Sequence, residues 1–173
     1  MSIIKKVRGF EPHFGKDCFV ADGAVVVGEV TMGDRCTVWF NAVVRGDVHS
    51  ITIGDDTNIQ DGAVIHCTYQ KAKTVIGHHV SIAHKAIVHG CTIGNYVLVG
   101  MGAIVMDDAE VGDGAVIAAG AIVLAGTKIP PNTIWGGIPA KQLKEIGPEM
   151  REVIERTARN YPMYAQWFKD EAQ

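Results

Sequence analysis

The sequence predicts an all-β solenoid, a parallel β-helix of hexapeptide repeats closed by a C-terminal α-helix, on three observations. Aliphatic or aromatic residues recur at every sixth position through Phe14, Val20, Val26, Met32, Val38 and Val44, then Ile53, Ile59 and Ile65, then Ile76, Ile82 and Val88. The beat ends with Ile93, Val99, Val105, Val111, Ile117, Val123 and Ile129. Two places before the marked residue stands a small or branched one, as at Ala24, Cys36, Ala42, Thr57, Ala63, Ala86, Ala103, Ala115 and Ala121. One place after it, in every third repeat, stands Gly15, Gly33, Gly54, Gly77, Gly94 or Gly112. An α-helix needs a period near 3.6 and a simple sheet a period of two, so a six-residue beat fits neither. Self-similarity at a fixed period marks a stack of repeats.

Because the glycine column returns after three hexads, three hexads make one coil of a triangular prism. Glycine in that column is expected to supply an unusual backbone dihedral. The beat breaks three times: three extra residues lie between Val44 and Ile53, five between Ile65 and Ile76, and one is missing between Val88 and Ile93. All three breaks fall at the same corner. The coils, over about residues 14–134, stack at the usual interstrand spacing, with the marked column inside. Cys18, Cys36 and Cys91 occupy the small inward position and are expected to pack there. Beyond IPPNTIWGGIPAKQL, the apolar residues Met150, Val153, Ile154, Ala158, Tyr161, Ala165 and Phe168 form a helical stripe. One helix over about 148–171 is expected, starting at a permissive proline and bending near Pro162.

At 173 residues, with 47% apolar and 20% charged side chains, the chain suits a single domain with a sizeable core. A formal charge of −3 offers no broad positive field, so neither nucleic acid nor an anionic membrane is an expected partner. No apolar run is long enough to span a bilayer, and the opening MSIIKKVRGF does not read as a signal peptide. Four cysteines without metal-type spacing fit a reducing compartment, and the expected location is the cytoplasm.

The columns decide which histidines meet. His66 and His89 follow marked residues three hexads apart, so they stack one coil apart below Arg45. His84 follows Ile82 by two places, on another column, one coil from Asp61. One prism therefore gathers two histidines and holds the third elsewhere. Packing of identical prisms about a threefold axis brings the His66/His89 edge of one against the His84 edge of the next, giving three equal sites in a homotrimer. Three neutral imidazoles with an open fourth position suit catalytic Zn²⁺, and Fe²⁺ or Co²⁺ would accept the same donors. His13, His49, His78 and His79 read as surface residues. Cys67, beside His66, faces the opposite side of its strand. Arg45 is placed to pair with Asp61 across the interface, and Gln60 offers a neutral amide to substrate.

RGDVHSITIGDDTNIQDGAVIH, followed by SIAHKAIVHGCTIGNYVLVGMGA, resembles the γ-class carbonic anhydrases over roughly residues 10 to 140. That resemblance implies a left-handed coil, a trimer, and reversible hydration of CO2 to bicarbonate. By motif it implies His66, His84 and His89 as metal ligands. Gln60 and Asn58 become orienting groups, Arg45, Asp47 and Asp61 an interface network, and Tyr164 an aromatic residue near the site. Ala83 stands where such proteins commonly have glycine, and the loop after His66 lacks the acidic residues of a proton relay, which implies slow turnover. The segment GGIPAKQL also resembles hexapeptide-repeat acyltransferases, which would use an acyl-CoA. A non-catalytic metal-binding trimer is a further alternative.

Overall fold

The computed structural model describes residues 1–171, and in it the six-residue beat becomes the inner wall of a parallel β-helix. Marked residues pair with marked residues throughout: Val20 with Val38, Val44 with Ile65, Ile65 with Val88, and Ile53 with Ile76. From Val26 to Ile129 each is buried, and the small residues two places earlier, such as Ala42, Ala63 and Ala86, fill the corners behind them. Each buried Val or Ile contributes roughly 1.5–3 kcal/mol, so the column is the main source of stability. Register is kept across all three breaks. The first lies within one bent strand, Val43–Ile53, which runs round the corner that the other two also occupy.

The glycine column has a different cause from the one expected. None of Gly15, Gly33, Gly54, Gly77, Gly94 and Gly112 adopts positive φ. The left-handed residues lie two places further on, at Asp17, Arg35, Asp56, His79, Tyr96, Gly114 and Asn132. What the column needs is space. A Cβ on Gly77 would stand 2.6 Å from Asn95 Oδ1 and 2.8 Å from the backbone of Gly94 on the next coil. The space admits a ladder in which each coil's side chain accepts a backbone N–H from the previous one. Lys16 N donates to Asp34 Oδ1, Asp34 N to Asp55 Oδ1, Asp55 N to His78 Nδ1, His78 N to Asn95 Oδ1, and Asn95 N to Asp113 Oδ1.

The three walls differ in what their outward side chains meet. One, from Phe19–Val20 through Asn58–Ile59 to Thr133–Gly137, lies under the helix Pro148–Glu171. There Thr37, Asn58, Ser81, Val116 and Ile134 are buried, and Ile154 packs with Val116 and Ile134. Phe19, Trp39, Tyr161 and Phe168 form an aromatic cluster at the first coils. The helix continues through Pro162, where a bend was expected. A second wall is polar and exposed at His13, Thr31, Thr52, Thr92, Glu110 and Lys128. The third carries an outward ladder of Val25, Val43, Val64, Ile87, Ile104 and Ile122, all half-buried and, among the described residues, without any covering element.

Two pieces lie outside the expected repeat. Ile3–Lys5 adds a parallel strand beside Val25–Val27 and caps the first coil. At the other end the beat reaches Trp135, opposite Ile117, and the strand Ala140–Glu145 returns antiparallel to Thr133–Gly137.

Candidate metal centre

His66 and His89 project from paired positions of adjacent strands, Val64–His66 and Ile87–His89, at the rim of the uncovered wall. Their rings lie 5.1 Å apart, with His66 Nδ1 3.1 Å from His89 Nε2. The outer nitrogen of each ring is held by a carboxylate: His66 Nε2 by Asp47 Oδ1 at 3.0 Å and His89 Nδ1 by Asp107 Oδ1 at 2.5 Å. His84 stands exposed on a different corner, its Nδ1 2.9 Å from Asp61 Oδ2. Each histidine of the trio therefore has its own aspartate. Among the described residues no three His, Cys, Asp or Glu side chains of one chain come together in a metal-holding group.

The protonation pattern follows from the partners. Neutral rings that donate an N–H to Asp47 and Asp107 leave His66 Nδ1 and His89 Nε2 as lone pairs facing each other. Arg45 Nη2, 3.5 Å from His66 Nδ1, approaches as a donor and agrees with that tautomer. Burial pushes the His66 pKa down, against the opposing pull of Asp47, and so favours the neutral ring. Two lone pairs 3.1 Å apart are an unfavourable arrangement that a shared cation relieves. Tetrahedral Zn²⁺ with bonds of ~2.0–2.1 Å separates its ligand nitrogens by about 3.3 Å, so the donor pair fits.

The carboxylates are ionised in character. Burial alone would raise Asp47, but its hydrogen bonds from Arg45 and His66 overcome this and hold it below the usual carboxylate range. Burial likewise acts against Asp107, and Thr68 and His89 overcome it. Arg45, read from sequence as a partner for Asp61, lies 2.7 Å from Asp47 of its own chain. Asn58 and Gln60 are 1% and 4% exposed. Asn58 Nδ2 donates to Ser81 Oγ and Gln60 Nε2 donates to Asn58 Oδ1, a relay that fixes the Gln60 amide. Tyr164 lies on the helix in edge contact with Tyr161, its hydroxyl accepting from Asn160. Tyr161, pushed up to about 12 by burial and then by Asp61 and Tyr164, lies within the field of the His84 corner, and sequence reasoning passed over it.

Asp107 and Thr68 were missed as well. Asp107 follows Val105 by two places, one coil beyond Gly90, and that column position was the only signal for it. Cys67 is buried, with its thiol toward Ser50 O and Thr74, away from the imidazoles. The remaining histidines have other settings. His78 belongs to the Asp/Asn ladder, His79 stacks on Tyr96, and His49 accepts from Ser50 N.

Comparison with known proteins rests on this geometry. A family model described as bacterial transferase hexapeptide (six repeats) matches residues 11–46 and 90–125. A protein of Methanocaldococcus jannaschii named as a probable carbonic anhydrase is 50% identical over 84% of this chain and 91% of its own. The chain belongs to the γ-class carbonic anhydrase family. Its family relative gamma carbonic anhydrase 2, mitochondrial, of Arabidopsis thaliana is 39% identical over 90% of the chain, which spans 58% of that relative's length. Among solved structures, a Bacillus cereus protein assigned provisionally as an acetyltransferase superposes with a TM-score of 0.95. It is 37% identical, with 98% of each chain covered. The parallel β-helix with one C-terminal helix is the fold this chain shares with that structure. No helix of the described residues is long and apolar enough to cross a membrane.

Proposed function

We propose that this protein catalyses the reversible hydration of CO2 to bicarbonate at metal sites shared between neighbouring chains of a homotrimer. The observation that carries the proposal is the pair of carboxylate-held imidazoles whose inner ring nitrogens converge at 3.1 Å, an incomplete donor set. The third carboxylate-held imidazole, His84, stands on another corner of the same prism. A second copy of the chain supplies what one lacks. The uncovered wall supports this partner, because its aliphatic ladder adjoins the His66/His89 column, which continues into Met106 and Leu124, 39% and 49% exposed. The His84 column continues into Met101, 58% exposed. Apolar edges of this kind are what a closed symmetric interface buries.

His66 and His89 of one chain and His84 of the next would hold the ion, with Asp47, Asp107 and Asp61 fixing the rings. A divalent cation in such a site supplies Lewis acidity that makes water ionise near neutral pH, for which zinc carbonic anhydrase is the reference case. The buried Asn58–Gln60 relay orients the Gln60 carbonyl and amide for hydrogen bonds at the reacting oxygen. Arg45, held by Asp47, adds positive charge beside His66 for the bicarbonate anion. Zinc is the proposed ion, and iron(II) or cobalt(II) would accept the same nitrogens. We place the protein in the cytoplasm, consistent with its four free thiols.

A second reading, acyl transfer from an acyl-CoA, is favoured by the provisional assignment of the B. cereus relative. Stopped-flow CO2 hydration on metal-quantified protein separates the two. The proposal expects metal-dependent hydration that His89→Ala abolishes together with bound metal. Metal-free protein that turns over acetyl-CoA would overturn it, and tight zinc without hydration would leave a non-catalytic metal-binding trimer.

A further inference from the structure

We infer that Asp107, locked in place by Thr68, is the positioning residue that selects the tautomer of His89 and so sets the affinity of the metal site. The inference deepens the proposed metal chemistry and, for its metal half, rests on it. Asp107 comes from the coil beyond His89, and its Oδ1 accepts a hydrogen bond from His89 Nδ1–H. Its other oxygen, Oδ2, accepts from Thr68 Oγ1, a contact spanning 39 residues of sequence. Both oxygens are thus committed, which prevents the carboxylate from rotating away. Thr68 is itself fixed. Its backbone N–H donates to Ala72 O, and its carbonyl accepts from Lys71 N in a tight turn.

That turn lies in the five-residue interruption between Ile65 and Ile76. The interruption therefore has a task. It lifts Thr68 out of the six-residue beat far enough to reach a carboxylate on a later coil. Thr74, at the end of the loop, donates to His66 O and accepts from Gly90 N, tying both histidine-bearing strands to the same turn. A free imidazole exchanges its proton between two nitrogens. With Nδ1–H given to Asp107, the His89 lone pair is confined to Nε2, the atom that faces His66.

The test has two independent readouts. In metal-free protein with ¹⁵N-labelled histidine, long-range proton–nitrogen correlation distinguishes N–H from bare nitrogen on each ring. Wild-type and Asp107→Asn proteins are expected to hold His89 with its proton on Nδ1, since an amide oxygen still accepts. Asp107→Ala is expected to lose that preference. In competition with a chromophoric chelator, zinc affinity is expected to fall about 10- to 100-fold in Asp107→Ala. The fall should be smaller in Asp107→Asn and Thr68→Val, and all variants should keep the wild-type circular dichroism. Should Asp107→Ala fail to fold, Thr68→Val carries both measurements, because freeing Asp107 Oδ2 lets the carboxylate rotate and weakens the His89 tautomer preference. An unchanged His89 tautomer with zinc affinity within twofold of wild type in Asp107→Ala or, where that variant does not fold, in Thr68→Val would overturn the inference. Equal zinc binding by wild type and His89→Ala would instead overturn the metal assignment, with the tautomer result still readable.

Discussion

Asp47, Asp61 and Asp107 each hold one nitrogen of His66, His84 and His89 at 2.5 to 3.0 Å, closer than the 3.5 and 3.9 Å at which Asp55 and Asp56 approach His78 and His79. Column counting made the stacking of His66 on His89 and the place of His84 beside Asp61 legible in the sequence, because stacking at a fixed period converts spacing into adjacency. Asp47 came instead from the motif resemblance, as part of an interface network. Asp107 and Thr68 were not legible, since their contact crosses coils through a loop that leaves the beat. The same stacking sets thiol chemistry. Cys18, half-buried on the first coil, donates its thiol to Gly33 O, and the neighbouring Cys36 thiol on the second coil lowers its pKa to about 7. Cys36 is raised in return by that pairing and by burial. Alkylation by iodoacetamide, followed by mass spectrometry across pH, is expected to find Cys18 the fastest thiol, with a midpoint near its lowered value. The thiolate fraction grows as pH rises, so the rate should climb up to that midpoint and then level. Replacing Cys36 by Ala should move the midpoint upward, and an unmoved midpoint would contradict the pairing.

At the scale of the elements, the inner wall and the C-terminal helix were readable because burial imposes a pattern on sequence. The strand Ile3–Lys5 and the return strand Ala140–Glu145 were not, because they are exposed along most of their length and carry no six-residue beat. The glycine column was seen but its cause was not, because a composition pattern cannot distinguish a dihedral requirement from a space requirement. Gly77→Ala tests the distinction. Its added Cβ meets Asn95 and the Gly94 backbone, so a loss of roughly 1–3 kcal/mol in urea unfolding is expected. Gly120→Ala, at φ +68° with open space around it, should be strained by its dihedral without any such clash. An unaffected Gly77→Ala would contradict the close-approach explanation.

For the whole molecule, the helix covers one wall, polar side chains face solvent on another, and the third is left aliphatic with the paired imidazoles of His66 and His89 at its rim. If a second copy covers that wall, Ile87→Lys places an unpaired charge in the contact. It should convert the trimer to monomer in sedimentation velocity and release zinc together with it. Retained trimer would move the interface elsewhere. The most direct measurement mixes chains carrying His84→Ala with chains carrying His89→Ala, each expected to lack bound zinc and CO2 hydration. Random reassembly of equal amounts puts an intact His66/His89 edge opposite an intact His84 in about one contact of four. The mixture should therefore recover about a quarter of wild-type zinc and hydration rate. No recovery on mixing, or full zinc in either variant alone, would contradict a site built from two chains.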